Sequence, residues 1–193
     1  MPGLAPLRLY RATPTSRLSR LVGDAAPYWA HAWGGGLALA RHFVEHPDCV
    51  AGRSLIDLGT GGGLVALIAK RLGASDVRGV DLDPWAITAA RLNAKANELD
   101  VGFSVAHAAQ INVDAEVVTA GDLFYEQALA DEILPALKAL AAAGATVLIG
   151  DPGRRTLPVD ALEAVAHYPV GDFAHAPGAA PATGTVYRLR DGA

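Results

Sequence analysis

The stretch Ser54-Leu-Ile-Asp-Leu-Gly-Thr-Gly-Gly-Gly63 decides the fold. Leu55, Ile56 and Leu58 make a short apolar run suited to a buried strand. Gly59, Gly61 and Gly63 follow at alternating positions, and Leu64, Leu67, Ile68 and Leu72 then fall on one face of a helix. A strand that turns through glycines into a helix presents backbone N–H groups to a ligand. Glycine suits such a turn because side chains would block the approach and because some turn residues need positive φ. The same pattern also serves as a tight turn with no ligand, so the spacing must be read further.

A dinucleotide fingerprint needs glycine at 59, 61 and 64, and position 64 is leucine. A phosphate-cradling loop needs Gly-Lys-Ser/Thr, which the stretch lacks. Asp57 stands two residues before the first glycine, where a carboxylate would repel phosphates. It suits a ligand with an amino group, and S-adenosylmethionine (SAM) carries an ammonium, a carboxylate and a sulfonium. The stretch resembles motif I of the seven-strand SAM-dependent methyltransferases.

Composition narrows the class. The chain has 193 residues, enough for one domain with a full core. It is 51% hydrophobic and 19% charged, which is globular and not disordered. A net charge of -4 argues against nucleic-acid binding by bulk electrostatics. No apolar run approaches the roughly 20 residues of a membrane span. The single cysteine, Cys49, excludes an intrachain disulfide and a Cys-rich metal site, and reads as a small buried hydrophobe.

Arg8, Arg11, Arg17 and Arg20 precede the first acid, Asp24, and an Arg-rich, acid-poor start is how a transit peptide looks. Pro6 and Pro14 break any long amphipathic helix there, so residues 7–22 read as a short strand or arm of the domain that is not removed. Nothing catalytic is legible in them. Pro27-Tyr-Trp-Ala-His-Ala-Trp-Gly-Gly-Gly36 follows, either an aromatic plug capping the sheet or a lid over a small ligand. A helical pattern from Leu37 to Phe43 ends near Pro47, and its glycine-rich start offers free N–H groups. Residues 1–50 thus read as an arm and lid helix, and 51–193 as the core of a single domain.

Beyond the central stretch, Val77-Arg-Gly-Val-Asp-Leu-Asp83 reads as the second strand. Asp81 falls where a carboxylate can accept both hydroxyls of an adenosine ribose. Asp83 is the second candidate for that ribose, or else caps the helix that starts at Pro84. Trp85 lies against adenine or packs under that helix. Val101–His107 is a third strand, and His107, Gln110 and Asn112 sit in the loop after it, at the ligand edge, where each touches adenine or is a plain loop residue. A fourth strand leads into Asp122-Leu-Phe-Tyr125. Leu129, Ile133, Leu137 and Leu140 mark a helix that Pro135 should kink or divide. Ala145–Gly150 is a fifth strand running into the polar turn Asp151-Pro-Gly-Arg-Arg155. Asp160–Val165 reads as a short helix, and Ala166–Ala174 with Thr185–Arg190 as a terminal hairpin. The expected fold is α/β: a Rossmann-like seven-strand class I methyltransferase sheet, mostly parallel, with a C-terminal antiparallel hairpin.

Five segments together carry a family resemblance: Pro27-Tyr-Trp…Trp33-Gly-Gly-Gly, Leu55–Gly63, Val80-Asp-Leu-Asp-Pro84, Gly121-Asp-Leu-Phe-Tyr125 and Leu148-Ile-Gly-Asp-Pro-Gly-Arg154. The chain resembles, over about residues 7–190, the seven-strand protein-lysine methyltransferases, and among them the subfamily acting on the electron transfer flavoprotein β subunit. Gly34 departs from the proline common there. The resemblance implies SAM as cofactor, with Asp57, Gly59, Gly61 and Gly63 along its methionine part. It further implies Asp81 and Leu82 at the adenosine, and Trp33 closing the site. Asp122 would orient the substrate lysine amine and Tyr125 would offer it a ring face and a hydroxyl. Asp122 could instead cap the next helix, and Tyr125 could be core packing. No metal is implied, since an amine nucleophile needs none. The implied partner is the flavoprotein β subunit, with no nucleic acid or membrane. The implied location is cytoplasmic, or the mitochondrial matrix in a eukaryote. The alternatives are a small-molecule (nicotinamide-like) N-methyltransferase, a ribosomal-protein methyltransferase and a SAM-binding protein without catalysis.

Overall fold

The computed structural model describes residues 6–13, 15–18, 23, 26–111, 114–171 and 182–190. Seven strands, β1 (Leu55–Leu58), β2 (Val77–Asp81), β3 (Gly102–Val105), β4 (Val117–Gly121), β5 (Thr146–Asp151), β6 (Leu162–Val170) and β7 (Ala182–Leu189), form one sheet. Its order is β3-β2-β1-β4-β5-β7-β6. The first five strands pair in parallel, and β7 runs antiparallel between β5 and β6. The strand order reverses beside β1, and in open α/β sheets ligands bind at that reversal. This is the class I methyltransferase sheet.

Alternate residues of β1 explain the layering. Leu55 packs with α1 (Gly34–Glu45), α2 (Leu64–Arg71) and α3 (Pro84–Ala96) on one face. Ile56 and Leu58 pack with α4 (Gln127–Ala142) on the other, through Ile133, Leu137 and Leu140. Pro135 lies inside α4 without dividing it. The carbonyl it deprives of a donor is that of Asp131, which is exposed, so water can take the missing bond.

α1 begins at Gly34, before the expected Leu37, because its first turn is pressed onto the sheet. A Cβ on Gly35 would collide with the Gly150 carbonyl, and one on Gly121 would come within 3.1 Å of the Gly36 Cα. Leu39 and Phe43 are fully buried. Packed this way α1 is a layer of the core. Gly34 holds the first helical position, where proline is also tolerated.

The short helix expected over 160–165 is absent: a 3₁₀ turn at Val159–Ala161 leads straight into β6. Leu162, Tyr168 and Val170 are buried, and a bulge between Ala164 and Ala166 shifts the register with β7. Pairing overrides the helix-forming composition there. Of the terminal hairpin, residues 172–181 lie outside the described residues, as do 14 and 19–22 of the N-terminal arm. Residues 6–13 form no strand. Arg8 and Tyr10 instead donate their backbone N–H groups to Asn97, the C-cap of α3, and to Asn93 within it, at 2.9 and 2.8 Å. No described helix is long and apolar enough to cross a membrane.

Candidate active site

The Gly59–Gly63 turn is held from every side. Thr60 donates its N–H to the Val80 carbonyl and its hydroxyl to Asp57 Oδ2, at 2.9 and 2.6 Å. The Thr119 hydroxyl donates to Asp57 Oδ1 at 2.8 Å. Gly61 N–H donates to Asp81 Oδ2 at 2.9 Å, and Asn93 Nδ2 donates to the Gly62 carbonyl at 2.8 Å. Gly63 caps α2 at φ 85°, with Phe103 and Ala90 so close that a side chain would be crowded.

Asp57 is therefore a brace. Both of its oxygens are taken by threonine hydroxyls and its side chain is buried. Burial pushes its carboxyl up to about 6, against the pull of those hydroxyls. Asp81 sits at the end of β2, accepts Asp83 N–H on Oδ1 at 3.0 Å, and is also raised by burial. Each of its oxygens accepts one backbone donor and keeps a lone pair. Asp83 caps α3 by accepting Trp85 N–H at 2.8 Å.

Asp122 stands across β1 from Asp81, just past β4 and at φ 59°. Its Oδ2 accepts the Gly36 N–H at 2.9 Å and its Oδ1 accepts Arg154 Nη2 at 2.6 Å. The free N–H groups expected at the start of α1 thus include one already spent on Asp122. Arg154 is set by Asp151, whose Oδ1 accepts the Gly153 and Arg154 N–H groups, both at 2.7 Å. Burial still raises the Asp122 carboxyl, with Gly36 and Arg154 opposing. The helix-cap alternative fails, because α4 starts at Gln127 with Glu126 as its cap residue. Core packing fails for Tyr125, which is 61% exposed.

One cavity of about 1110 Å³ joins these groups, lined among others by Trp33, Asp57, Gly59, Asp81, Asp122 and Tyr125. Gly61, Leu82 and His107 line it too, whereas Gly63, Trp85 and Gln110 do not; Asn112 lies outside the described residues. The sequence reading passed over Arg154, Asn93 and the arm residues Leu9, Tyr10 and Arg11, all of which line it. Only the arginine-rich start and the Asp-Pro-Gly-Arg run hinted at them. His42 of α1 and His46, which caps its C-terminus, have ring centroids 4.8 Å apart. His42 Nδ1 is 3.0 Å from the Tyr168 hydroxyl, and no described group of three or more ligating side chains could hold a metal.

A family model described as ribosomal protein L11 methyltransferase (PrmA) matches residues 43–149. That is more than half of the chain, and it includes β1 to β4, Asp57, Asp81 and Asp122.

The chain belongs to the PrmA methyltransferase family.

Among curated relatives, this PrmA-family chain is 42% identical over 132 residues to the electron transfer flavoprotein beta subunit lysine methyltransferase of Rattus norvegicus, covering 66% of this chain and 51% of that protein. The Homo sapiens protein of the same name is also 42% identical over 132 residues, covering 66% and 50%. The chain thus spans about half the length of these relatives. Among solved structures, magnesium protoporphyrin IX methyltransferase from Synechocystis PCC 6803 with bound SAM aligns with a TM-score of 0.61 at 14% identity, covering 94% of this chain and 93% of that one. That likeness is one of fold.

Proposed function

We propose that the chain is a SAM-dependent protein-lysine N-methyltransferase acting on the electron transfer flavoprotein β subunit. One observation carries the reading: Asp81 and Asp122 flank the Gly59–Gly63 turn and line the same cavity, with Tyr125 exposed three residues on. The names of the 42%-identical relatives supply the acceptor.

The lining fits SAM. Asp81 keeps a lone pair on each carboxylate oxygen, which suits the two hydroxyls of a ribose. At about 1110 Å³ the cavity is slightly larger than the roughly 300–1,000 Å³ usual for small-molecule sites. When bound, SAM supplies a methyl group on a sulfonium, an electrophile toward an amine. Asp57 and the Gly59–Gly63 turn would flank the methionine part, with Leu82 and Trp33 as apolar walls.

The residues across β1 would serve the lysine. Its free pKa of about 10.4 means that a proton must leave before attack. A bare carboxylate beside the amine would hold that proton in place. Arg154 and the Gly36 N–H offset the Asp122 charge, so the acid keeps lone pairs to orient the amine with a weaker hold on its proton. Tyr125 adds a ring face toward a cationic substrate. The gain is alignment of the amine.

A second reading, a ribosomal-protein acceptor, is favoured by the family match. The test is labelled SAM with the purified chain and, in parallel, flavoprotein β subunit, ribosomal protein L11 and nicotinamide. Label on lysines of the β subunit is the expected result. Label on L11 alone supports the second reading, and label on nicotinamide alone overturns both.

A further inference from the structure

The N-terminal arm is a wall of the cavity. Leu7, Leu9, Tyr10 and Arg11 all line it. The arm is seated by α3: Asn97 pairs with both backbone groups of Arg8, at 2.9 Å from its N–H and 2.6 Å to its carbonyl. Asn93 accepts Tyr10 N–H and donates to the Gly62 carbonyl, so a single buried amide ties the arm to the glycine turn.

The basic side chains of the lining are Arg11, His31, His107 and Arg154. Arg154 is paired with Asp122. His107 faces Glu132 at 3.3 Å and accepts the Ala109 N–H on its other ring nitrogen. His31 is shifted toward its neutral form by burial and by the charge of Arg11. Among the described residues Arg11 is thus the permanent cation of the lining with no carboxylate partner. Trp29, also in the lining and against the Gly61–Gly62 backbone, buries its indole N–H without an acceptor. Asp81 offers acceptors to the ribose hydroxyls of SAM; the α-carboxylate of SAM needs a donor of the opposite kind.

We propose that Arg11, carried on the arm, is the counter-ion for the α-carboxylate of the SAM methionine. This rests on the SAM reading above. Asn93 and Asn97 are positioning residues that hold the arm where Arg11 can act. A guanidinium suits the task because its fixed fork matches a carboxylate.

The test is calorimetric binding of S-adenosylhomocysteine and of its decarboxylated analogue to the full chain. Arg11→Gln should weaken S-adenosylhomocysteine by about tenfold, the scale of one charge-assisted contact. The decarboxylated analogue should bind wild type and Arg11→Gln equally. Arg11→Lys should restore part of the loss, and Arg8→Gln, on the same arm but outside the lining, should cost nothing. Unchanged S-adenosylhomocysteine affinity in Arg11→Gln overturns the proposal. So does an equal loss for both ligands, which would make the arm a mere wall. A wild-type chain that binds neither ligand overturns the SAM reading itself, and this inference with it.

Discussion

Two carboxylates of the site carry opposite expectations. Asp122 reaches the cavity already held by Gly36 and Arg154, so Asp122→Asn keeps the side chain's shape but removes the carboxylate charge and leaves Arg154 without that counter-charge. The rate constant kcat/KM for the protein acceptor should fall by at least about a hundredfold, roughly 2.7 kcal/mol, with SAM affinity nearly unchanged. Tyr125→Phe should cost less, since the ring survives. Steady-state kinetics with calorimetry on each variant checks both; wild-type turnover in Asp122→Asn removes the orienting role. Asp57 instead governs stability. Its folded pKa of about 6 lies above the ordinary 3.8, so the folded chain binds more protons between those values. Its contribution is fully present below about pH 4 and is lost as pH rises through about 6, a change of about 3 kcal/mol. Asp57→Asn should therefore gain on wild type as pH rises over that window. Urea melts of the two proteins at several pH values measure the gap, and a constant gap refutes the shift.

At the scale of elements, what was legible was local. The β1–turn–α2 unit, the Asp83 cap and the Leu129–Leu140 stripe each depend on neighbours within a few positions. The start of α1 did not, because Gly35 is shaped by Gly150, on a strand far along the chain. β6 was misread because Ala, Leu and Glu around 161–164 favour a helix until β7 supplies a partner. Asp122 was found by its motif, but its grip by Arg154 spans 32 positions and leaves no periodic trace. The arm's place is not legible in its own residues, because its bonds run to Asn93 and Asn97, more than 80 positions away. Gly35→Ala forces the helix off β5 and should destabilise the fold by about 1–3 kcal/mol. Thermal or urea unfolding measures it, and a neutral outcome would mean that the helix seats more loosely than described.

For the whole molecule, ligand and fold should be linked. The cavity takes walls from the arm, the β1 turn, the ends of β2 and β4 and the turn after β5, so a ligand bridging them stabilises all at once. S-adenosylhomocysteine at a hundred times its Kd should add about 2.7 kcal/mol. For a chain of this size that raises Tm by roughly 5–11 °C. Scanning calorimetry with and without it is the measurement, and no shift would remove the cavity as the cofactor site. The packing of α1 has a consequence for chemistry as well. Gly35, Gly36, Gly121 and Gly150 let helix and sheet meet backbone to backbone, and only at that range does the Gly36 N–H touch Asp122. The dimension of this end of the cavity is thus set by methyl groups that are missing. A single added carbon, buried behind the acid and outside the cavity itself, would retune the basicity of Asp122.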